Sequence, residues 1–319
     1  MSPQNYEALC VQIHETNQFI EGLASRTQLE CRKIREKYKE MYGEDLVQGL
    51  GSRTRSQRNE TRISGETCAG LCMLVLNPHE RDAVTAKDAI DQQSGVNYKP
   101  LLEVFVGRKS SHFLLIQQAY QKKFKRQLDH DIISIEPSHP YQRILMALAA
   151  SHKSHHADVS QHIAKCDAQR LYQTGEGRLG ALDEAVVLEI LSKRSLAQFK
   201  LTFSSYKKIY GHDYTKSLKN ENHGGFEDAF KEVVSHICNP PKYYAKALYG
   251  SIQGTGMDKG ALARVMVSRA EIDMDQIQAI FENKYGIKLK DAITESTLPE
   301  DYKELLIALD NKTGTTSCK

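Results

Sequence analysis

The sequence predicts an all-α protein of four helical modules with about five helices each, and three observations predict it. Arg26 is followed by Tyr38, Tyr42 and Leu46 at offsets of 12, 16 and 20. The same offsets carry Tyr120, Phe124 and Leu128 after Arg108, Tyr206, Tyr210 and Tyr214 after Arg194, and Phe281, Tyr285 and Leu289 after Arg269. These offsets are multiples of four, which holds side chains along one helix face, so each copy puts an aromatic ridge on its buried side. Convincing period-two alternation is missing, and Gly43, Pro78, Pro137, Gly211, Pro240 and Gly286 punctuate the helical stretches where helix ends require it.

The first module, residues 1–77, carries the ridge from Arg26, extended by Ile34 at offset eight, and then the apolar run CAGLCMLVL at 68–76. The second, 78–150, repeats it from Arg108 through Ile116 and closes on PYQRILMALAA at 140–150. A polar linker, SHKSHHAD, leads the third, 151–237, where Thr202 interrupts the apolar pattern at offset eight and FEDAFKEVVSHI follows at 226–237. The fourth, 238–319, runs from Arg269 through Ile277 to DYKELLIAL at 301–309.

Bulk composition fits this. The chain has 319 residues, enough for a sizeable buried core, with 26% charged residues and few Gly and Pro. No apolar run approaches the roughly 20 residues that span a bilayer, and MSPQNYEALC lacks a signal-peptide core, which predicts a cytosolic protein. Seven scattered cysteines, none spaced CxxC, argue against a zinc knuckle or a secreted disulfide framework. Cys68 and Cys72 sit one helical turn apart, a spacing that fits core packing better than redox chemistry. The net charge of +3 is too small to mark a specific nucleic-acid binder. Its distribution is uneven: Arg53, Arg55, Arg58 and Arg62 crowd one polar stretch and Lys122, Lys123, Lys125 and Arg126 another.

YGEDL at 42–46, ERDA at 80–83, the SxR start of the second helix in several copies and VSRAEID at 267–273 resemble the annexin family, its plant branch in particular, over essentially the whole chain. The resemblance implies a slightly curved disc of four right-handed superhelical modules that binds acidic phospholipid through Ca²⁺. It also implies where the ion sits: a GxGT loop joins the first two helices of a module, and a carboxylate follows 39 residues after the Thr. Ca²⁺ is a hard ion wanting six to eight oxygens, and glycines let backbone carbonyls turn inward where a Cβ would obstruct.

Counting 12 back from each periodic arginine places that loop in all four modules. In the fourth it reads IQGTGMD, with Met257 at the Thr position, and the carbonyls of Ile252, Gly254 and Gly256 become the implied ligands; Ser296 holds the acid position with Glu295 beside it and Glu300 and Asp301 beyond. In the third, Leu182 takes the Thr position in RLGALDEAV, Gly180 is the loop glycine, and Glu221 keeps the carboxylate. The first module reads VQIHETN at 11–17 with Arg53 at the acid position, where a cation opposes Ca²⁺. The second has Val96 and Ile135 there, with only Glu136 nearby. The expectation is therefore calcium binding through modules three and four, at lowered affinity, and lost sites in one and two.

The main alternative is a calcium-independent scaffold that binds acidic membrane or cytoskeletal partners such as actin through Arg53–Arg62 and Lys122–Arg126. Arginines near an anionic surface contribute about 1 kcal/mol each. An ion-conducting or redox role comes third. Asp82, Arg108 and Arg269 match the family's central channel, and buried charge pairing explains them equally. Ser25 stands where a peroxidase histidine has been nominated in plant relatives, and no P-loop or nucleophile, base and orienter set is visible, so no enzyme is expected. His139, His152, His155, His156 and His162 lack the spacing of a metal site. The chain has no Trp, which removes the family's tryptophan from the first loop. The expected place is the cytoplasm, peripheral at the inner face of the plasma membrane or at endomembranes, with weak homo-oligomers on the membrane.

Overall fold

The computed structural model describes residues 3–16, 19–53, 63–93, 95–153, 159–177, 182–218, 225–253 and 259–312; at 3, 4, 15, 16, 52, 53, 152 and 153 it describes backbone only. Twenty helices and no strand occur among them, in four sets of five. The first set is α1 (Pro3–Thr16), α2 (Phe19–Leu23), α3 (Gln28–Tyr42), α4 (Leu46–Arg53) and α5 (Gly65–Val75). The second is α6 (Pro78–Ile90), α7 (Tyr98–Gly107), α8 (Ser110–Phe124), α9 (Leu128–Ile133) and α10 (Pro140–Lys153). The third is α11 (Gln161–Gln173), α12 (Glu184–Lys193), α13 (Leu196–Tyr210), α14 (Tyr214–Ser217) and α15 (Gly225–Cys238). The fourth is α16 (Pro240–Gln253), α17 (Lys259–Arg269), α18 (Met274–Tyr285), α19 (Leu289–Glu295) and α20 (Glu300–Asn311). No described helix is long and apolar enough to cross a membrane.

Two compact units result, Met1–Arg81 with Pro241–Lys319 and Asp82–Pro240, each around its own apolar cluster. Within both, the periodic residues behave as one construction repeated. Ile34, Tyr38 and Leu46 are buried, as are Ile116, Tyr120 and Leu128, Tyr206 and Tyr214, and Ile277, Phe281 and Leu289. Thr202, the polar exception, is equally buried because its hydroxyl donates to the Gln198 carbonyl one turn back at 3.0 Å. The rings at offset 16 are half-buried, and three of them stack on the first helix of their own set: Tyr42 on His14 at 3.9 Å, Tyr210 on Tyr172 at 4.1 Å and Tyr285 on Tyr249 at 3.6 Å.

The long third helices α3 and α13 start on side-chain caps, while α8 and α18 have none. Thr27 and Glu30 form a capping box at the start of α3, and Ser195 accepts the Gln198 amide at the start of α13. At the other end, 17 residues after each periodic arginine, the chain turns through left-handed backbone: Gly43 (φ 71°), Lys125 (φ 58°), Gly211 (φ 80°) and Gly286 (φ 72°). Lys125 is the exception among these caps, and an L-residue there costs about 1 kcal/mol. Lys125→Gly is expected to raise stability by about that amount, read as a higher urea midpoint at unchanged m-value.

Three of the four periodic arginines are fastened within their own sets. Arg108 pairs with Asp82 of α6 and Arg194 with Asp167 of α11, two N–H groups on each carboxylate. Arg269 instead takes Asp273, four residues on, and lies 4.7 Å from the ring of Tyr244 in α16. Tyr244 lies five residues before its stacking residue Tyr249, as Asp167 does before Tyr172; the same register in α1 gives Leu9, so Arg26 has no acid at that place. Separately, Arg35 grips Asp45 at 2.7 Å and Glu80 at 3.0 Å, and its hydrogen bonds hold the Asp45 carboxyl below the usual range. A carboxylate lowered by folding adds stability above its unfolded pKa of about 3.9, lost as pH falls through the folded value. The stability gap between the parent and Arg35→Gln, about 2 kcal/mol at pH 7, is therefore expected to narrow below about pH 4 in urea titrations at stepped pH.

Candidate functional site

The connection between the first two helices of each set is where a cation loop is expected, and the four differ. In the first set α1 continues through residues 11–16, so VQIHETN is not a loop: only residues 17–18 separate it from α2. His14 sits inside that helix, its Nδ1 2.8 Å from the Tyr38 hydroxyl. The reason is local. No glycine or proline interrupts the segment, and α2 is cut to five residues where its equivalents have ten or eleven.

In the second set the described residues of the 91–97 connection bond back on themselves. Gly95 at φ 104° donates to Gln92 at 3.1 Å, Asn97 donates to Ala89 at 2.9 Å, and the Asn97 side chain accepts the Lys99 amide. Ile135 is buried and Glu136 exposed. Tyr98, His139 and Tyr141 stack beside the turn with centroids 4.8 to 5.4 Å apart.

The third set has a ten-residue connection, 174–183, of which 178–181, including Gly180, lie outside the described residues. Its two ends are tied: the Asp183 amide donates to the Thr174 carbonyl at 2.9 Å, and Gly177 donates to the Tyr172 carbonyl at 2.8 Å. A Cβ on Gly177 would meet the Tyr172 ring at 2.6 Å, so this close return requires glycine. Asp183 caps α12 through the Val186 amide, and Glu184 pairs with Arg143 at 2.6 Å. Leu182 turns its side chain into the core, and its amide donates to Glu227 Oε1 at 3.1 Å. Glu176 accepts the Tyr206 hydroxyl at 2.7 Å and faces His212 Nε2 at 3.1 Å. Glu221 lies outside the described residues. Glu176 and Glu227 follow no fixed offset, because their partners Tyr206 and Leu182 lie 30 and 45 residues away, whereas Gly177 turns back on Tyr172 five residues before it and is marked locally by the TGEG run at 174–177.

The fourth set opens at residues 254–258, which hold Gly254 and Gly256 and lie outside the described residues, but both of its shoulders are described. Ile252 is buried in the last turn of α16, where helix carbonyls lack intrahelical partners. The start of α17 is pinned from α20: the Tyr302 hydroxyl donates to the Lys259 carbonyl and accepts the Ala263 amide at 3.1 Å. At the acid end, Ser296 donates to Ile293, Glu300 pairs with Lys303, and Asp301 accepts the Ser64 amide at 2.6 Å. Glu295, exposed at the end of α19, makes no hydrogen bond or ion pair among the described residues. Of the three acids nearest the position, it alone is uncommitted.

Asp82 and Arg108 are brought together, while Arg269 is paired in the other unit with Asp273. Arg53 ends α4 with its side chain outside the described residues, as are Arg55, Arg58 and Arg62 altogether. Lys122 and Lys123 stand in the last turn of α8, followed by Lys125 and Arg126.

Comparison with known proteins agrees with this architecture. The Annexin family model matches residues 166–233 and 243–309, both in the second half of the chain. The chain is 33% identical over 290 residues to mouse (Mus musculus) annexin A13, covering 91% of this chain and 87% of that protein. It is 34% identical over 287 residues to human (Homo sapiens) annexin A3, covering 90% and 85%. The solved structure of annexin III superposes with a TM-score of 0.83 at 32% identity, over 97% of this chain and 94% of that one. These relatives do not speak to the plant branch, a likeness that rests on the sequence motifs.

Proposed function

The chain belongs to the annexin family, and from that premise we propose that it docks peripherally on acidic membranes through the loops of repeats III and IV, with lowered calcium affinity. Annexins in general bind acidic phospholipid with calcium and are not enzymes. The observation that carries the reading is the contrast in first connections: ten residues in repeat III and five, with two glycines, in repeat IV, against a helix continued through the place in repeat I and a seven-residue connection in repeat II that bonds back on itself from Asn97 to Ala89 and from Gly95 to Gln92. In repeat IV the trailing carbonyls of α16, Gly254 and Gly256 supply neutral oxygens, and Glu295 supplies charge. In repeat III the loop around Gly180 is held at both ends, and Glu221 is the acid. Each site has lost one part of the full pattern, and ligand charge and rigidity set calcium affinity, so binding is weaker than a complete site gives. The place of action is the cytoplasmic face of the plasma membrane or of endomembranes.

Repeat I favours a second, calcium-independent mode. Its α4–α5 connection, 54–64, is longer than the equivalents at 134–139, 218–224 and 296–299, and with Arg53 it brings four arginines. Such a loop binds lipid phosphates directly. Co-sedimentation with phosphatidylserine vesicles separates the modes: the calcium mode is reversed by EGTA, while the arginine mode persists in EGTA and fades with salt. Changing Arg53, Arg55, Arg58 and Arg62 to Ser is expected to abolish the EGTA-resistant fraction only. An EGTA-resistant fraction unchanged in that variant removes the second mode; no calcium response in the parent removes the first.

A further inference from the structure

The exposed face at the end of α8 brings three features together. Residues 109–128 contain five Lys and Arg and no acid. Lys125 is the single non-glycine with positive φ among the described residues, at a cap where the other three repeats use glycine. Lastly, Gln118, Gln121, Lys122 and Lys125, spaced three and four apart and so aligned on one side of the helix, line an open cavity of about 440 Å³.

The neighbouring cations are occupied. Arg126 pairs with Asp131, and Lys123 lies over the Phe124 ring. In the corresponding helix of repeat III, Lys207 pairs with Asp213. Lys122 and Lys125 have no carboxylate within ion-pair distance among the described residues. Lysines in a last turn suit the helix dipole, which explains Lys122 but not a strained Lys at the cap, since the dipole gains little from a residue whose replacement by glycine relieves the backbone.

We propose that this face is an oxyanion site, separate from the calcium loops, that takes a phosphomonoester or polyphosphate group. Lys122 and Lys125 supply the charge, and the amides of Gln118 and Gln121 donate hydrogen bonds to the phosphate oxygens. The two carboxamides, which carry no charge, set an orientation that a purely electrostatic patch lacks.

The test uses the full chain in EGTA at physiological salt, titrated calorimetrically with inositol hexakisphosphate and with pyrophosphate. Saturable binding is expected. It should weaken about fivefold in Lys122→Gln or Lys125→Gln and about 20-fold in the double variant. The corresponding repeat III pair, Lys207→Gln with Lys208→Gln, should leave it unchanged. Lys125→Gly discriminates further: its melting temperature should rise by about 2 °C while its affinity falls, opposite changes that a cap without ligand function does not produce. Vesicles containing phosphatidic acid, also in EGTA and with Arg53, Arg55, Arg58 and Arg62 changed to Ser so that the arginine mode is silent, identify the source. Vesicle binding lost in the double variant assigns a lipid phosphate, and soluble binding alone assigns a free one. No saturable binding, or equal loss in the repeat III variant, overturns the site.

Discussion

Replacing Asp82 by Ala is expected to destabilise the protein by about 3–5 kcal/mol, because it strands a buried guanidinium. Arg108 places Nη2 3.0 Å from Asp82 Oδ1 and Nε against Oδ2, and the two side chains are only 10% and 5% exposed. Water therefore cannot replace the lost carboxylate without opening the unit. Asp167→Ala supplies the internal comparison: Arg194 is 26% exposed, so solvent reaches it and the loss should be about 1–2 kcal/mol. Urea unfolding followed by far-ultraviolet circular dichroism measures both. Removing the pair together, Asp82→Ala with Arg108→Met, should recover a good part of the stability, since no lone charge remains buried. An Asp82→Ala loss below that of Asp167→Ala contradicts the assignment of Arg108 as the more deeply fastened of the two.

Phe281→Ala should be comparably severe, about 3–5 kcal/mol, through lost burial and the cavity left behind. Phe281 is fully buried in its unit, against Tyr249 at 6.0 Å and Tyr285 at 5.1 Å. Tyr285, one turn on, is half-buried and stacked on Tyr249. Its replacement by Ala should lose only about 1–2 kcal/mol, the ring pairing and part of its area. Offsets 12 and 16 thus occupy different depths of one ridge. Equal losses at the two positions would show that the ridge is buried uniformly.

That difference in depth was not legible in the sequence, although the ridge itself was. A period of four reports which face a residue is on, and Tyr38, Tyr120, Tyr206 and Phe281 follow from it directly. It does not report what covers the face, so the half-buried stacking of Tyr42, Tyr210 and Tyr285 on the first helix of each set needed the fold. Thr202 broke the apolar pattern without breaking the packing, because a hydroxyl bonded to the turn below it is a small apolar surface to its neighbours. The loops were harder. Counting a fixed 12 residues back assumes second helices of equal length; repeat I has shortened α2, so the count lands on His14 inside α1. Glu227 and Glu176 are not legible in the sequence because each reaches a partner 30 or more residues away, through contacts that composition and periodicity do not encode. Asp301 looked available beside Ser296 and is instead committed to the α5 terminus. The family pattern groups Arg269 with Asp82 and Arg108; the acid it takes, Asp273, lies in the same VSRAEID stretch that marks the repeat.

The central claim is that main-chain oxygens and one acid in each of repeats III and IV hold calcium against an anionic membrane. Co-sedimentation with phosphatidylserine vesicles across a calcium titration, for the parent and for Glu221→Gln with Gly256→Pro, tests it most directly. The account predicts that sedimentation of the parent increases with calcium above its EGTA-resistant fraction, with a shallow, high midpoint, and that the double variant loses this calcium response while keeping the EGTA-resistant fraction and the parent's melting temperature in EGTA. Calcium-dependent sedimentation that is the same in the parent and in the double variant would contradict it.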